Sequence, residues 1–498
     1  MDYIFEETKI PYLRLAADEW LRQEETTDLI VPDSSPDASA VCDCCGLVTV
    51  RSTMCQDGSI QISGGIQAVV FYQAEGETTP RVLETYMPFT LRKDLPACQS
   101  DSPVMLCCRL TNCDARVLNS RKILLRADIG CSLQIYQKDE LIAYTPPETE
   151  PRLQLLRRDR RVTLIQDAGE KVFAVDENVE LPPGQPPIER LLCCRAEPQV
   201  MELRAAGSKA LFKGIVHLHI LYLSEENSVS HWTVQLPFSQ YCDLYGNCEE
   251  GTCRLLLQLA GCEVNADSPT ELTVNLMYQA QCTIAGEVTI PLVEDAYHLT
   301  DDAAVERKQV RISDLAQQTV TQPVKLQLNG NLQTVQDCQT MVGKPEVHFD
   351  GSSTQLRCSV RVRVSGQDEA GNPVRVEGNT AVVVPCPGEG NRACCADLGV
   401  YGDVYVLPGA DMAEIRFTLD GQIQWQEDLQ TDTIQTVHLK PRPTAVARPS
   451  VIVRHIPSGT DLWNVAKQAG STVKRIRGVN GLETDTVEEG MLLLIPIG

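Results

Sequence analysis

Cysteine is the residue type here with the widest chemical reach, and its spacing limits what it can do. The chain has 21 cysteines. They fall as Cys42, Cys44 and Cys45, the doublets Cys107 with Cys108, Cys193 with Cys194 and Cys394 with Cys395, the pair Cys108 and Cys113, and the series Cys242, Cys248 and Cys253. A structural zinc site wants two ligands about two to four residues apart, joined by a second such pair or by histidines. Adjacent residues on a strand point to opposite faces, so a Cys-Cys doublet does not close easily on one ion. No metal is therefore expected. In a reducing compartment such thiols serve as small buried apolar groups. In an oxidising one they could cross-link a terminal assembly, which would show as thiol-sensitive multimers on non-reducing gels.

Acid–base residues give no stronger signal. His217 and His219 share a strand face by the period of two and could suit a metal, but no third ligand is indicated and histidines on a half-buried strand suffice. Asp33 and Asp37 could act as a carboxyl pair, yet Pro32 and Pro36 argue for a turn whose aspartates cap backbone amides. There is no glycine-rich phosphate loop, no His-Glu-x-x-His and no Gly-x-Ser-x-Gly. The expectation is a protein that is not an enzyme and carries no cofactor.

The elements that must position these residues are strands in repeated units. Ile60 to Phe89 aligns with Leu211 to Phe238: Gly64 matches Gly214 and Tyr72 matches Tyr222, each 150 residues on, and Pro88-Phe89 matches Pro237-Phe238. A diverged third copy runs through Leu356 to Val384, where Val360, Val362 and Val364 alternate with polar residues before Gly371-Asn372. Second halves recur as well, with Ile123, Leu125 and Ala127 answering to Leu272, Val274 and Leu276 and to Ile415, Phe417 and Leu419. Such alternation between Gly, Asn and Asp turns predicts tandem β-sandwich or open-barrel units, with Pro-rich connectors between them. Helix is expected before residue 451 only as short pieces near Tyr12 to Glu24.

The last 48 residues read differently, as a small βααβ module: strand Val451 to His455, a helix capped by Thr460 or Asp461 and ended by Gly470, a second capped by Ser471 or Thr472, and a closing strand with Leu492, Leu493 and Ile495. Gly459, Thr460, Asp461, Leu462, Trp463, Thr472, Asn480, Gly490, Ile495 and Pro496 together resemble the LysM domain, with Thr460 and Asp461 in swapped order. The resemblance implies ligand or partner binding by two loops, Gly459, Thr460, Asp461 and Leu462 on one side and Asn480, Gly481 and Leu482 on the other. Trp463 is expected in the core rather than as a sugar platform, because so small a unit needs a large buried side chain.

At the other end, Asp28, Val31, Pro32, Asp33, Pro36 and Asp37 resemble the opening of the SPOCS repeat of spore-forming Firmicutes. The organisation expected is an N-terminal segment 1–24, unit 1 at 25–145, a connector plus unit 2 at 146–300, a connector plus the diverged unit 3 at 301–439, a Pro-rich linker 440–450 and the LysM module 451–498. Several SPOCS repeats with a terminal LysM domain imply a cytosolic scaffold of spore-coat assembly on the mother-cell side, docking onto the coat-basement ATPase at the forespore surface. The alternative is a cell-wall protein binding peptidoglycan or other N-acetylglucosamine glycan.

Composition bears on the choice. Hydrophobic content of 43% is that of an ordinary globular chain, and the net charge of −23 lies outside the terminal module, so nucleic acid and anionic lipid should be repelled. The acidic start MDYIFEETKI lacks the basic and apolar segments of a secretion signal, and no apolar run approaches the ~20 residues of a membrane span. A cytoplasmic location without membrane insertion is the expectation.

Overall fold

The computed structural model describes residues 2–77, 80–147, 151–226, 228–245, 251–386, 394–442, 449–457, 461–485 and 490–497. After a short β1 (Asp2–Ile4), unit 1 comprises β2 (Glu6–Ile30), β3 (Ala38–Gln56), β4 (Ser59–Ala74), β5 (Arg81–Asp94), β6 (Val104–Asn119) and β7 (Lys122–Thr145). A connector strand β8 (Leu153–Arg157) leads to unit 2: β9 (Arg160–Glu180), β10 (Ile188–Ala206), β11 (Lys209–Ser224), β12 (Val229–Asp243), β13 (Thr252–Ser268) and β14 (Glu271–Ile290). Strand β15 (Val293–His298) pairs back with β8 before unit 3: β16 (Asp302–Asn329), β17 (Thr334–Phe349), β18 (Thr354–Gln367), β19 (Pro373–Pro385), β20 (Cys394–Val400), β21 (Tyr405–Leu407) and β22 (Met412–Lys440). The terminal module holds β23 (Val451–His455), α1 (Leu462–Ala469), α2 (Val473–Asn480) and β24 (Leu492–Pro496). The chain is thus mainly β, and none of its described helices is long and apolar enough to cross a membrane.

Each unit is two facing antiparallel sheets. The second, third and fourth strands form one, as β3-β4-β5, β10-β11-β12 and β17-β18-β19; the first, sixth and fifth form the other, as β2-β7-β6, β9-β14-β13 and β16-β22 with β20 and β21. Inward residues at every second position of the facing sheets fill one apolar core per unit. No barrel closes among the described strands, because the second and fifth strands lie side by side without a ladder.

Two repeated glycines show why the sequence repeats where it does. A Cβ on Gly64 would stand 2.1 Å from the Thr49 carbonyl and 2.7 Å from the Phe89 ring; on Gly214 it would stand 2.1 Å from the Gln199 carbonyl and 2.5 Å from Phe238. Each glycine faces its phenylalanine across the ladder, so the ring occupies the space a side chain would take. In unit 3 the inward position just before the corresponding bulge is Val360, opposite Thr380, so the third copy lacks the glycine–phenylalanine pair and reads as diverged.

Three expectations change. Residues 12–24 are strand, not helix: β2 pairs with β7 from Glu6 opposite Thr145 to Ile30 opposite Lys122. A bulge between Leu15 and Ala17 breaks the alternation, so Leu13, Ala17 and Leu21 imitate helical spacing while the long pairing overrides that local preference. The same strand passes through residue 25, so unit 1 begins at Glu6. The sixth strand of unit 3 is offset by two residues, with Ala413, opposite Leu328, taking the place of Ile123 opposite Leu29.

The three units are welded into one body. Leu13, Ile165 and Leu315 come from the first strands of the three units and meet with Met105, Tyr136, Leu256 and Ala285 in a common cluster. A second shared cluster gathers the far ends of the long first and sixth strands with β8 and β15, and includes Phe5, Leu164, Ile312 and Ile434.

Candidate partner-binding module and the junction between units

In the terminal module β23 and β24 pair antiparallel, with Val451 opposite Pro496 and His455 opposite Leu492. Asp461 caps α1 by accepting from Trp463 N at 3.0 Å, and Gly470 ends it with φ 69°. Thr472 caps α2 by accepting from Arg475 N at 3.2 Å, and Gly481 ends it with φ 66°. Leu462, Val465, Ala466, Ile476, Leu493 and Ile495 form the core.

Of the loop residues singled out in the sequence, Gly459 and Thr460 lie outside the described residues. Asp461 and Gly481 are exposed, Leu482 is half-buried against the core, and Leu462 is wholly inside it. The Asn480 side chain is engaged by backbone: Nδ2 donates to Ile476 O and Leu494 O, each at 2.7 Å, and Oδ1 accepts from Leu494 N at 2.8 Å. It stands in for a neighbouring strand along the free edge of β24, a structural duty.

Trp463 is 8% exposed, and part of what buries it belongs to the connector. Its ring packs edge-on against Tyr297 of β15, centroids 4.8 Å apart, and its Nε1 donates to Asp295 at 2.8 Å. Lys467 Nζ donates to both Asp295 oxygens at 2.8 and 2.7 Å, and the Tyr297 hydroxyl donates to Ser471 O at 2.8 Å. Burial alone would raise the Asp295 carboxyl; the hydrogen bonds from Lys467 and Trp463 outweigh it and hold it below the ordinary range. No spacing in the connector announced this contact, because Asp295 and Tyr297 meet α1 only through the fold. The opposite face of the module is bare: Val451, Val453, Leu492 and Leu494 are exposed and, by their register, project from one side of the two-stranded sheet.

At the junction of the three units the second and fifth strands flank a half-open chamber of ≈190 Å³, lined in part by Arg109, Arg195, Glu197, Tyr278 and Tyr401. Buried ion pairs cross between units around it. Arg195 of unit 2 grips Asp337 of unit 3 with two bonds of 2.7 Å, Arg109 of unit 1 pairs with Asp397 and donates to the Tyr401 hydroxyl of unit 3, and Arg363 of unit 3 lies 3.7 Å from Asp43 of unit 1. Glutamines hook onto neighbouring strands: Gln258 Oε1 accepts from Cys108 N at 2.6 Å, and Gln281 bonds both the amide and the carbonyl of Leu106. Glu197 faces His219 Nε2 at 3.9 Å instead of an arginine. Burial pushes its carboxyl up to about 7, with the Arg195 charge pulling it back and Asp337 adding to the rise. Burial, and then the Arg195 charge, push the neighbouring His219 down to about 3. Beyond the chamber, a groove of ≈1280 Å³ opens between β10 and β13 of unit 2 and β16, β20 and β22 of unit 3.

The other sequence candidates have structural settings. His217 Nε2 bonds Gln199 Oε1 at 3.1 Å, and His219 Nδ1 bonds Thr233 Oγ1 at 3.0 Å beside a stacked His231. Among the described residues no group of three or more His, Cys, Asp or Glu could hold a metal ion. Pro32 does open a turn, closed by Ser35 N to Pro32 O, but Asp33 and Asp37 accept from the Arg121 guanidinium, each at 3.1 Å, instead of from amides. Unit 2 builds the corner from Pro183 and Pro187, with Thr270 where unit 1 has Arg121, so the ionic clasp is replaced by stiff backbone.

Residues 187–267 match the family model described as SipL, SPOCS domain. The matched segment runs from the start of β10 to the end of β13, the second to fifth strands of unit 2, and units 1 and 3 repeat the same strand order. The chain matches no curated protein and no solved structure.

Proposed function

We propose that this chain is a non-enzymatic scaffold of spore-envelope assembly, organised like SipL from SPOCS units and a terminal LysM module that docks it onto a coat-basement protein, such as a morphogenetic ATPase, at the forespore surface. The match of residues 187–267 to the SPOCS domain carries the reading, since it ties the unit to sporulation. The welding of three units by buried ion pairs supports it: a rigid body with one bare apolar face suits holding other proteins.

The module's surface favours a protein partner over a glycan. Sugar rings stack on exposed aromatic faces, and the only Trp, Tyr or Phe in residues 451–498 is Trp463, already turned to Asp295 and Tyr297. Val453 and Leu492 are 60% and 63% exposed and offer the kind of apolar patch that a protein covers.

An N-terminal fluorescent fusion followed in the native host as sporulation begins tests this. A shell around the forespore on the mother-cell side is expected, and Val453→Asp with Leu492→Asp should abolish it while the units stay folded. Signal along the outer wall, or recovery with purified wall sacculi, would replace the reading with glycan binding.

A further inference from the structure

The cysteine doublets acquire a meaning once strand faces are assigned. Cys44 and Cys45 are neighbours on β3 and so point opposite ways. Cys44 enters the core of unit 1, where its thiol meets that of Cys113, while Cys45 leaves that core and meets Cys193 of unit 2. The doublet on β10 divides in the same manner: Cys193 turns to unit 1 and Cys194 packs against the core of unit 2. Other thiols are also in contact within units, as Cys55 with Cys98, Cys108 with Cys131 and Cys253 with Cys282. Cys108 and Cys131 are directly opposed across the β6–β7 ladder, where Cα separations of about 4.5–5.5 Å fall within the range a disulfide spans.

Of these, Cys45 and Cys193 are the pair whose bond would join two units. They lie in one apolar patch with Val69 and Phe71 of unit 1 and Leu192 and Leu221 of unit 2, so both sulfurs are held in place by packing. We propose that Cys45 and Cys193 are an oxidative modification site, closing to an intramolecular disulfide that clamps unit 1 to unit 2 when the protein meets a peroxide. Cys193 is 8% exposed and Cys45 not at all, so Cys193 reacts first. Its thiolate attacks hydrogen peroxide, the O–O bond breaks, and a sulfenic acid forms with release of water once a proton is taken up. Cys45 Sγ then attacks that sulfur, the S–S bond forms, and a second water leaves with the Cys45 proton. Two thiols lose two electrons in all, and one peroxide gains them. Contact with Cys193 and then burial hold the Cys45 thiol well above its ordinary range. Closure is therefore slow and follows assembly of the native interface, because the unfolded chain leaves the two cysteines 148 residues apart.

Full-length protein purified under reductant, desalted and exposed to hydrogen peroxide, is alkylated, digested under denaturing conditions and mapped by mass spectrometry. The expected result is a Cys45–Cys193 linked peptide, absent after dithiothreitol, together with a rise in thermal midpoint that dithiothreitol reverses. Cys193→Ala should fold, remain oxidisable at the other pairs and lose the linked peptide and most of the rise. Cys45→Ala gives an independent second variant should Cys193→Ala prove unstable. Recovery of Cys45 and Cys193 as alkylated thiols after peroxide, or their linkage to other cysteines, would overturn the proposal.

Discussion

Arg195 and Asp337 are the residues on which the joining of units 2 and 3 most depends. Their side chains are 12% and 3% exposed, so removing one partner strands a buried charge. Arg195→Met should cost about 3–5 kcal/mol in chemical denaturation, whereas Arg195→Met with Asp337→Leu should recover most of it, since an apolar pair replaces a buried ion pair at little net cost. Glu197, 29% exposed beside them, makes stability depend on pH in the opposite direction from a paired carboxylate. Its folded value of about 7 lies above the ordinary 4.5, so the native state holds the proton more tightly than the unfolded chain. Stability contributed by the neutral carboxyl is whole below pH 4.5, falls as pH rises from 4.5 to about 7, and is gone above that. Glu197→Gln should flatten this limb of the stability–pH curve and add on the order of 1–3 kcal/mol at pH 8. Neither side chain was singled out in the sequence, because their partners lie on other units at separations that no local pattern reports.

Elements were more legible than sites, for a physical reason that Gly64 and Gly214 make plain. Both are needed because a phenylalanine on the next strand fills the space above them, and that local constraint leaves the same Gly and Phe at a repeat of about 150. Gly64→Ala should lower the thermal midpoint of the whole chain by a few degrees, as about 1–3 kcal/mol of overpacking would. Unit 3 needs neither the glycine nor the ring, because its equivalent inward position carries Val360 with Thr380 facing it. The module's helices were readable from their caps, Asp461, Gly470 and Thr472, which act within a turn of chain. Strand β2 was not, because the Leu15–Ala17 bulge shifts its alternation by one and only the partner β7 reveals the true phase. The role of Asn480 was equally hidden: its appeal as a loop residue came from resemblance, while its bonds to Leu494 depend on where β24 returns.

On the scale of the molecule, the terminal module is seated, and the seat sets which of its faces a partner can reach. The sequence reads as a domain on a Pro-rich tether, and composition alone has no means of showing that α1 lies against β15. The contact combines an aromatic pair, worth about 0.5–1.5 kcal/mol, with charge-assisted hydrogen bonds worth about 1.5–3 kcal/mol each at a partly buried carboxylate. Together they would favour the docked state about a hundredfold or more after the entropy of holding the linker is met. Asp295→Ala with Tyr297→Ala should release the module, and small-angle scattering should then show a longer maximum dimension with unchanged unit cores. Lys467→Asp should release it in part by opposing Asp295, and Asp295→Lys with Lys467→Asp should restore only part of the seating, because the pair returns with its signs exchanged while Trp463 Nε1 loses its acceptor and Arg307 meets a like charge. If scattering from the released variant matches that of the parent chain, the Asp295–Trp463–Lys467 contact does not hold the module. If the variant extends yet binds its partner unchanged, the orientation of the bare Val451, Val453, Leu492 and Leu494 face is not set by the seat, and docking relies on the module alone.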